Sequence, residues 1–227
     1  VAVSSDVASV SAAYVPVVAS DIVFRAASST SGNRRSHTVS VPAAVQPDDV
    51  MLLFVTVNDD DVPVVTPAGW NLLDRVVDSS MQTLVFSRVA AAGDAGTSVT
   101  FDLGIWRKAD VVLAAYSGVD TASPIGAFAT AVQSGVSDTH TTPEVAVPDD
   151  NSLIVSYWAQ KTSSTTTMTT AFGATRHADV TSGGGRIAAL LADSGDGVPA
   201  GTYGGESAVA DSSAGKATMW TIALRPV

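Results

Sequence analysis

VMLLFVTV, Val50 to Val57, is the stretch on which the fold of this chain turns. Seven of its eight residues are apolar, with Pro47-Asp48-Asp49 before it and Asn58-Asp59-Asp60-Asp61 after it. A short run of β-branched and aromatic residues closed by turn formers predicts a strand, and its lack of alternation predicts burial of both faces. A second such run, LIVSYWA, spans Leu153 to Ala159 and follows Pro148-Asp149-Asp150. The two Asp pairs stand 101 residues apart. Further matches lie outward from this pair in unchanged order. Pro67–Trp70 corresponds to Ala171–Ala174, Ala90–Asp94 to Ala192–Asp196, and Lys108–Tyr116 to Lys216–Leu224, while His37 and His140 precede strands of one type. A preserved order predicts two half-repeats, residues 21–119 and 123–227, each of roughly seven strands.

In the first half the expected strands are Ile22–Ser28, Thr38–Pro42, Val50–Val57, Trp70–Val77, Gln82–Ala91, Ser98–Leu103 and Lys108–Tyr116. The fold class is all-β: a two-sheet antiparallel β-sandwich of jelly-roll or lectin-like type, with each half giving strands to both sheets. Two tandem sandwiches are the alternative. The short connector Ser117–Pro124 favours one fused body.

Composition agrees. The chain has 227 residues, with 34 Val against 11 Leu, and 27 Ser and 23 Thr. Val and Thr suit pleated surfaces, whereas straight-chain helix formers are scarce. Twenty of the 22 acidic residues are Asp, the turn former, and the formal charge is −10. That balance argues against a basic nucleic-acid-binding surface. The absence of Cys excludes disulfides, thiolate chemistry and cysteine-ligated metal centres. No apolar run has the length of a membrane-spanning helix.

Several segments taken together, PAAVQPDDVMLLFVTVN, TPAGWNLL, SRVAAAGDAGTSVTF, VVLAAYSGVDTASPI, HTTPEVAVPDDNSLIVSYWAQK and KATMWTIALRP, resemble a module of actinobacterial secreted multidomain proteins and of the tail or virion-surface proteins of their phages. The Pro-x-Gly-Trp turn at Pro67–Trp70, Ala115–Asp120 and the closing Trp220–Leu224 strand carry the resemblance, which spans about Asp21 to Pro226. It implies a β-sandwich accessory domain without established catalytic residues. The expected function is therefore a non-catalytic structural or adhesive surface module, a phage virion or tail appendage. The alternative is a carbohydrate-binding module of a secreted actinobacterial protein. Either setting is extracellular or on a virion surface.

The candidate site residues are few. Trp106, in Leu103-Gly-Ile-Trp-Arg-Lys108, sits in a loop-like stretch beside two cations, and with Arg107 it is the first candidate for ligand contact. A sugar's CH face packs on an exposed ring of this kind. Tyr203 is the second. Trp158 and Trp220 lie in apolar strands and read as core, and Trp70 as an anchor at the core edge. Asp59, Asp60 and Asp61 could bind Ca²⁺ if a tight loop converged them. Otherwise they are a solvated acidic turn, and no cofactor is expected. Asp193-Ser-Gly-Asp196 is a second acidic loop without the EF-hand pattern. No Gly-x-Ser-x-Gly elbow accompanies the three histidines, and the Asp residues fall at turns, so no catalytic residue is expected.

Val1–Ser20 stands outside the repeat. It is apolar, alternating and free of basic residues, so it does not read as an intact signal peptide. It reads as the end of a preceding module, an added edge strand or an arm on a neighbouring subunit. The expected partners are neighbouring subunits or modules, met through this segment and the sheet edges, and cell-surface polysaccharide. Neither nucleic acid nor membrane is expected.

Overall fold

The computed structural model describes residues 21–133, 135–165, 167–180 and 186–227. The N-terminal segment 1–20 and the Gly183–Gly185 turn lie outside the described residues. Strands β1 (Val23–Ser40), β2 (Val50–Val57), β3 (Asn71–Asp78), β4 (Met81–Val89) and β5 (Ser98–Ser117) come from the first half. The second supplies β6 (Ile125–Val132), β7 (Ser137–Thr141), β8 (Val145–Val147), β9 (Leu153–Thr162), β10 (Met168–Thr170), β11 (Ala174–Val180), β12 (Arg186–Asp193), β13 (Gly201–Tyr203), β14 (Ser207–Ala214) and β15 (Ala217–Leu224). Every pairing between these strands is antiparallel. The protein is all-β.

Two five-stranded sheets form its centre, in the orders β1-β5-β2-β4-β3 and β11-β12-β9-β15-β6. They stack face to face and share one core. Val50, Leu52, Phe54, Val112 and Tyr116 of the first meet Leu153, Val155, Tyr157, Leu191 and Trp220 of the second. Phe54 stacks on Tyr157 with ring centroids 4.5 Å apart. The expectation that each half feeds both sheets is not met: each central sheet takes all its strands from one half.

The outer faces are covered as well, which explains the unbroken apolar run of β2. Its even residues enter the shared core, and Met51, Leu53, Val55 and Val57 face outward into a second core. There the far ends of β1 and β5 fold over them with Val39, Val99, Phe101 and Leu103. These ends were expected as separate strands, yet each belongs to one long strand. The ladder bends but does not stop, because a register shift at Arg34/Ser36 absorbs the turn. In the second half the cover consists of separate small sheets. The order β10-β14-β7 places Met168, Ala208 and Ala210 over Trp158, Leu190 and Met219. The pair β13-β8 covers Ile154 and Ala223 with Val145 and Val147. Trp70, Trp158 and Trp220 are buried, as expected.

At one end the shared core turns polar in a satisfied way. Thr83 hydroxyl lies 2.8 Å from that of Thr56 and 2.7 Å from that of Thr218, and Thr56 also meets the Tyr157 hydroxyl at 2.9 Å. Asp78 Oδ2 accepts from the Ala217 N–H at 2.8 Å. Buried hydroxyls paired across the two sheets avoid the penalty of unmet polar groups and fix the sheets' relative position.

The sheet edges differ in their protection. Register shifts leave Arg25 and Arg35 unpaired in β1, Leu73 in β3 and Arg176 in β11. Bulges and charges of this kind blunt an edge against pairing with other chains. In β6 the shift falls at Gly126, and Ala127–Val132 continues in regular register with β15, without a charged residue or proline.

Candidate functional site

Leu103-Gly104-Ile105-Trp106 forms a four-residue departure from the β1–β5 ladder, matched in size by Ala210–Ser213 opposite Asp138 in the β14–β7 ladder. Arg34 pairs with Arg107 and Ser36 with Asp102, so these residues of β5 stand opposite Arg35 alone. Gly104 has φ 71°, a value that permits this excursion and that L side chains rarely adopt. Leu103 turns inward and is buried, whereas Ile105 is 46 % and Trp106 66 % exposed. Burying Leu103 anchors the bulge, and the indole is left in solvent.

The two groups of candidates from the sequence, Trp106/Arg107 and Asp59–Asp61, meet here. Arg107 Nε donates to Asp59 Oδ2, and Arg107 Nη1 donates to the Trp106 carbonyl at 2.9 Å. An open cleft of about 390 Å³ beside the bulge is lined by Asp59, Asp61, Pro63, Leu103, Ile105 and Arg107. Burial alone would raise the Asp59 carboxyl. The Arg107 guanidinium and the backbone N–H groups of Asp61 and Val62 outweigh it and hold Asp59 below the usual carboxylate range.

One carboxylate oxygen from each of Asp59, Asp60 and Asp61 lies within 4.8 Å of the others. The tight loop needed to converge them is thus present. Asp59 already has an arginine on one oxygen, and the Asp61 N–H donates to the other at 2.9 Å. An internal cation and an internal N–H therefore occupy the carboxylate that a calcium ion would use.

Tyr203 belongs elsewhere. It pairs with Val145 in the β13–β8 ladder and packs half-buried against the small core under that sheet.

Sequence reading missed the cations on the strand facing the bulge. Arg34 lies directly across the ladder from Arg107, Asn33 across from Lys108, and Arg35 opposite the bulge itself. The adjacent Arg34-Arg35 in a Ser/Thr-rich strand was the available signal, and only the β1–β5 register brings it to Trp106.

His37 and His140 are fully buried. Burial is the main cause lowering the pKa of each; backbone groups of Arg107 and Arg34 at His37, and the Gln160 side chain at His140, oppose it. The ring nitrogens of His140 lie 2.7 Å from Gln133 Oε1 and 2.5 Å from Gln160 Oε1.

A second polar centre lies between the sheets. Asp193 is fully buried and accepts from Arg176 Nε at 2.6 Å, from Arg176 Nη2 at 2.8 Å and from the Gly195 N–H at 2.9 Å. The guanidinium lies 4.5 Å from the centroid of the Phe24 ring. Burial, then the Asp193 carboxylate, raises the Tyr116 phenol well above its ordinary pKa. The acidic loop Asp193–Asp196 thus spends its first carboxylate on an internal ion pair.

No protein-family model, no curated protein and no solved structure matches this chain.

Proposed function

We propose that this chain is a non-catalytic adhesive module displayed on a surface, a virion or tail appendage in the setting its sequence resemblance suggests. The exposed Ile105–Trp106 bulge carries this reading. A large ring held in solvent on a buried anchor, next to a cleft with charged and apolar walls, has the form of a contact hot spot. Its surroundings offer no chemistry of comparable definition. His37 and His140 are buried away from solvent, and the one carboxyl with an altered pKa at the bulge, Asp59, is lowered, the wrong direction for a general acid.

The carbohydrate-binding alternative rests on the same indole and is a second reading of one surface. The uncharged edge Ala127–Val132 and the segment 1–20 are the further contacts we assign to neighbouring subunits or modules.

The finer fold reading, a duplicated unit of about a hundred residues, has specific support. Exchanging β1, β5, β2, β4, β3 for β6, β15, β9, β12, β11 turns one central sheet order into the other. The bulges recur at corresponding places, Arg25 with Gly126 and Leu73 with Arg176. Asp48 and Asn151, each entering a central strand, have φ of 70° and 61°. A jelly roll would draw each sheet from both halves, so duplication is the reading we keep.

The test is a pull-down of the protein on insoluble polysaccharides and intact actinobacterial cell walls, with Trp106→Ala alongside. Retention of the parent and loss of the variant is the expected result. Equal retention of both removes the bulge as the contact.

A further inference from the structure

We infer that the Trp106 bulge binds an acidic saccharide, its ring stacked on the indole and its carboxylate or phosphate held by Arg34 and Arg35. The inference rests on the reading of this bulge as a contact surface and adds the charge class of the ligand.

Charge distribution is the first observation. The chain carries 12 Lys and Arg against 22 Asp and Glu. Four of those cations, Arg34, Arg35, Arg107 and Lys108, flank this one bend of the β1–β5 ladder; Asp59, Asp60 and Asp61 follow β2 on the other side of β5 from Arg34 and Arg35. Arg34 and Arg107 are direct cross-strand partners, a like-charge arrangement that disfavours the ladder. Asp59 already neutralises Arg107, so an anion here would serve Arg34 and Arg35.

The second observation is where the local carboxylates go. Asp59 is engaged by Arg107. Asp102 reaches Arg35 only at 3.8 Å, with both side chains about two-thirds exposed, a contact that solvent screens. Arg34 lies back along β1 over Gly32 and donates from Nη1 to the neutral Thr30 hydroxyl at 3.2 Å, so it meets a ligand on the indole by turning about its own exposed stem. Arg34 and Arg35 are therefore the cations available to a ligand. A planar guanidinium matches carboxylate and phosphate oxygens in a two-point fork.

The third observation comes from the second half. There Ala210–Ser213 stand opposite Asp138 alone, as residues 103–106 stand opposite Arg35, so that Ser213 takes the place of Trp106 and Ala214, paired with Ser137, that of Arg107. The equivalent central sheet forms without the aromatic residue or the arginine. The fold does not require them at this bend, so their presence in one half only points to a ligand.

The experiment uses the full chain and three soluble polymers: polygalacturonate for carboxylate, a poly(glycerol phosphate) for phosphate and dextran as the neutral control. Affinity is measured at low and moderate salt. Binding of one or both anionic polymers, with dextran at least about tenfold weaker and the difference shrinking as salt rises, is the expected result. Arg34→Ala/Arg35→Ala should lose about tenfold on the anionic polymer and nothing on dextran, while Arg34→Lys/Arg35→Lys keeps part of it. Unchanged melting temperatures establish that the variants are folded. Trp106-dependent binding of dextran as strong as that of the acidic polymers overturns the charge assignment and leaves the contact surface standing. Anionic binding insensitive to Arg34 and Arg35 also overturns it. Failure of every polymer to bind, with Trp106-dependent retention on cell walls, overturns the saccharide class while sparing the adhesive reading.

Discussion

Arg176→Leu should be among the most damaging single substitutions in this protein. It removes the guanidinium paired with Asp193, whose carboxylate is fully buried and accepts two hydrogen bonds from it. Breaking a buried pair by removing one partner costs about 3–5 kcal/mol, because the remaining charge stays desolvated. In a chain of this size that corresponds to a fall in Tm of roughly 6–20 °C. Asp193→Ser should cost less, about 1–3 kcal/mol, since the Arg176 side chain is 22 % exposed and its guanidinium can turn to water. The first half offers an internal control. Leu73 and Ser87 occupy the places that correspond to Arg176 and Asp193, Leu73 as the bulged residue of β3 and Ser87 as the partner of Leu52. Arg176→Leu/Asp193→Ser therefore installs a combination the fold already uses, and it should lie within about 1–2 kcal/mol of the parent. Urea titration and thermal melts of the parent, the two single variants and the double variant give the coupling directly. A double variant whose loss equals the sum of the single losses would refute both the pairing energy and the correspondence of the two sites.

Phe54→Ala should cost about 3–5 kcal/mol, because it opens a cavity beneath Tyr157 in the core shared by both halves; a loss below about 1 kcal/mol would mean that the sheets do not depend on this contact. The buried His140 has its pKa lowered in the folded state, so between that value and the unfolded value near 6.5 the unfolded chain binds more protons. Stability should hold above about pH 6.5 and decline as the solution is acidified below it, and His140→Gln should flatten this decline; an unaltered pH profile in the variant would assign the effect elsewhere. Calcium at about 1 mM should leave Tm unchanged, because Arg107 and the Asp61 N–H occupy the Asp59 carboxylate, and a clear upward shift would show that the ion displaces them.

Much of the fold was legible because burial writes itself into composition. VMLLFVTV and LIVSYWA are apolar on both faces since each is the third strand of five and each sheet is covered on both sides. Which sheet a strand joins was not readable, because an unbroken apolar run contains no record of which layer lies above and which below. The continuity of β1 and β5 was hidden for a related reason: Gly104 and the Arg34-Arg35 pair look like a strand end, and only the paired register shows the ladder carrying on past them. Trp106 could be found because it follows Gly104 and precedes two cations, a poor environment for a core residue. Tyr203 lies half-buried with its ring against a small outer sheet, a placement its Thr-Tyr-Gly-Gly context does not reveal. The Arg176–Asp193 pair left no local trace, since two residues 17 positions apart meet only through the β11–β12 pairing.

The shared core has a consequence for how the chain comes into being. All five strands of the first central sheet precede Val119, yet the inner face of that sheet is completed only by strands that begin at Ile125 and end at Leu224. A ribosome adding about 5–20 residues each second needs roughly 5–20 s to deliver that second half. Throughout the interval Leu52, Phe54, Val112 and Tyr116 have no opposing layer. Two nascent first halves on one polysome present the same unsatisfied surface to each other, and their swapped pairing is the characteristic error this architecture invites.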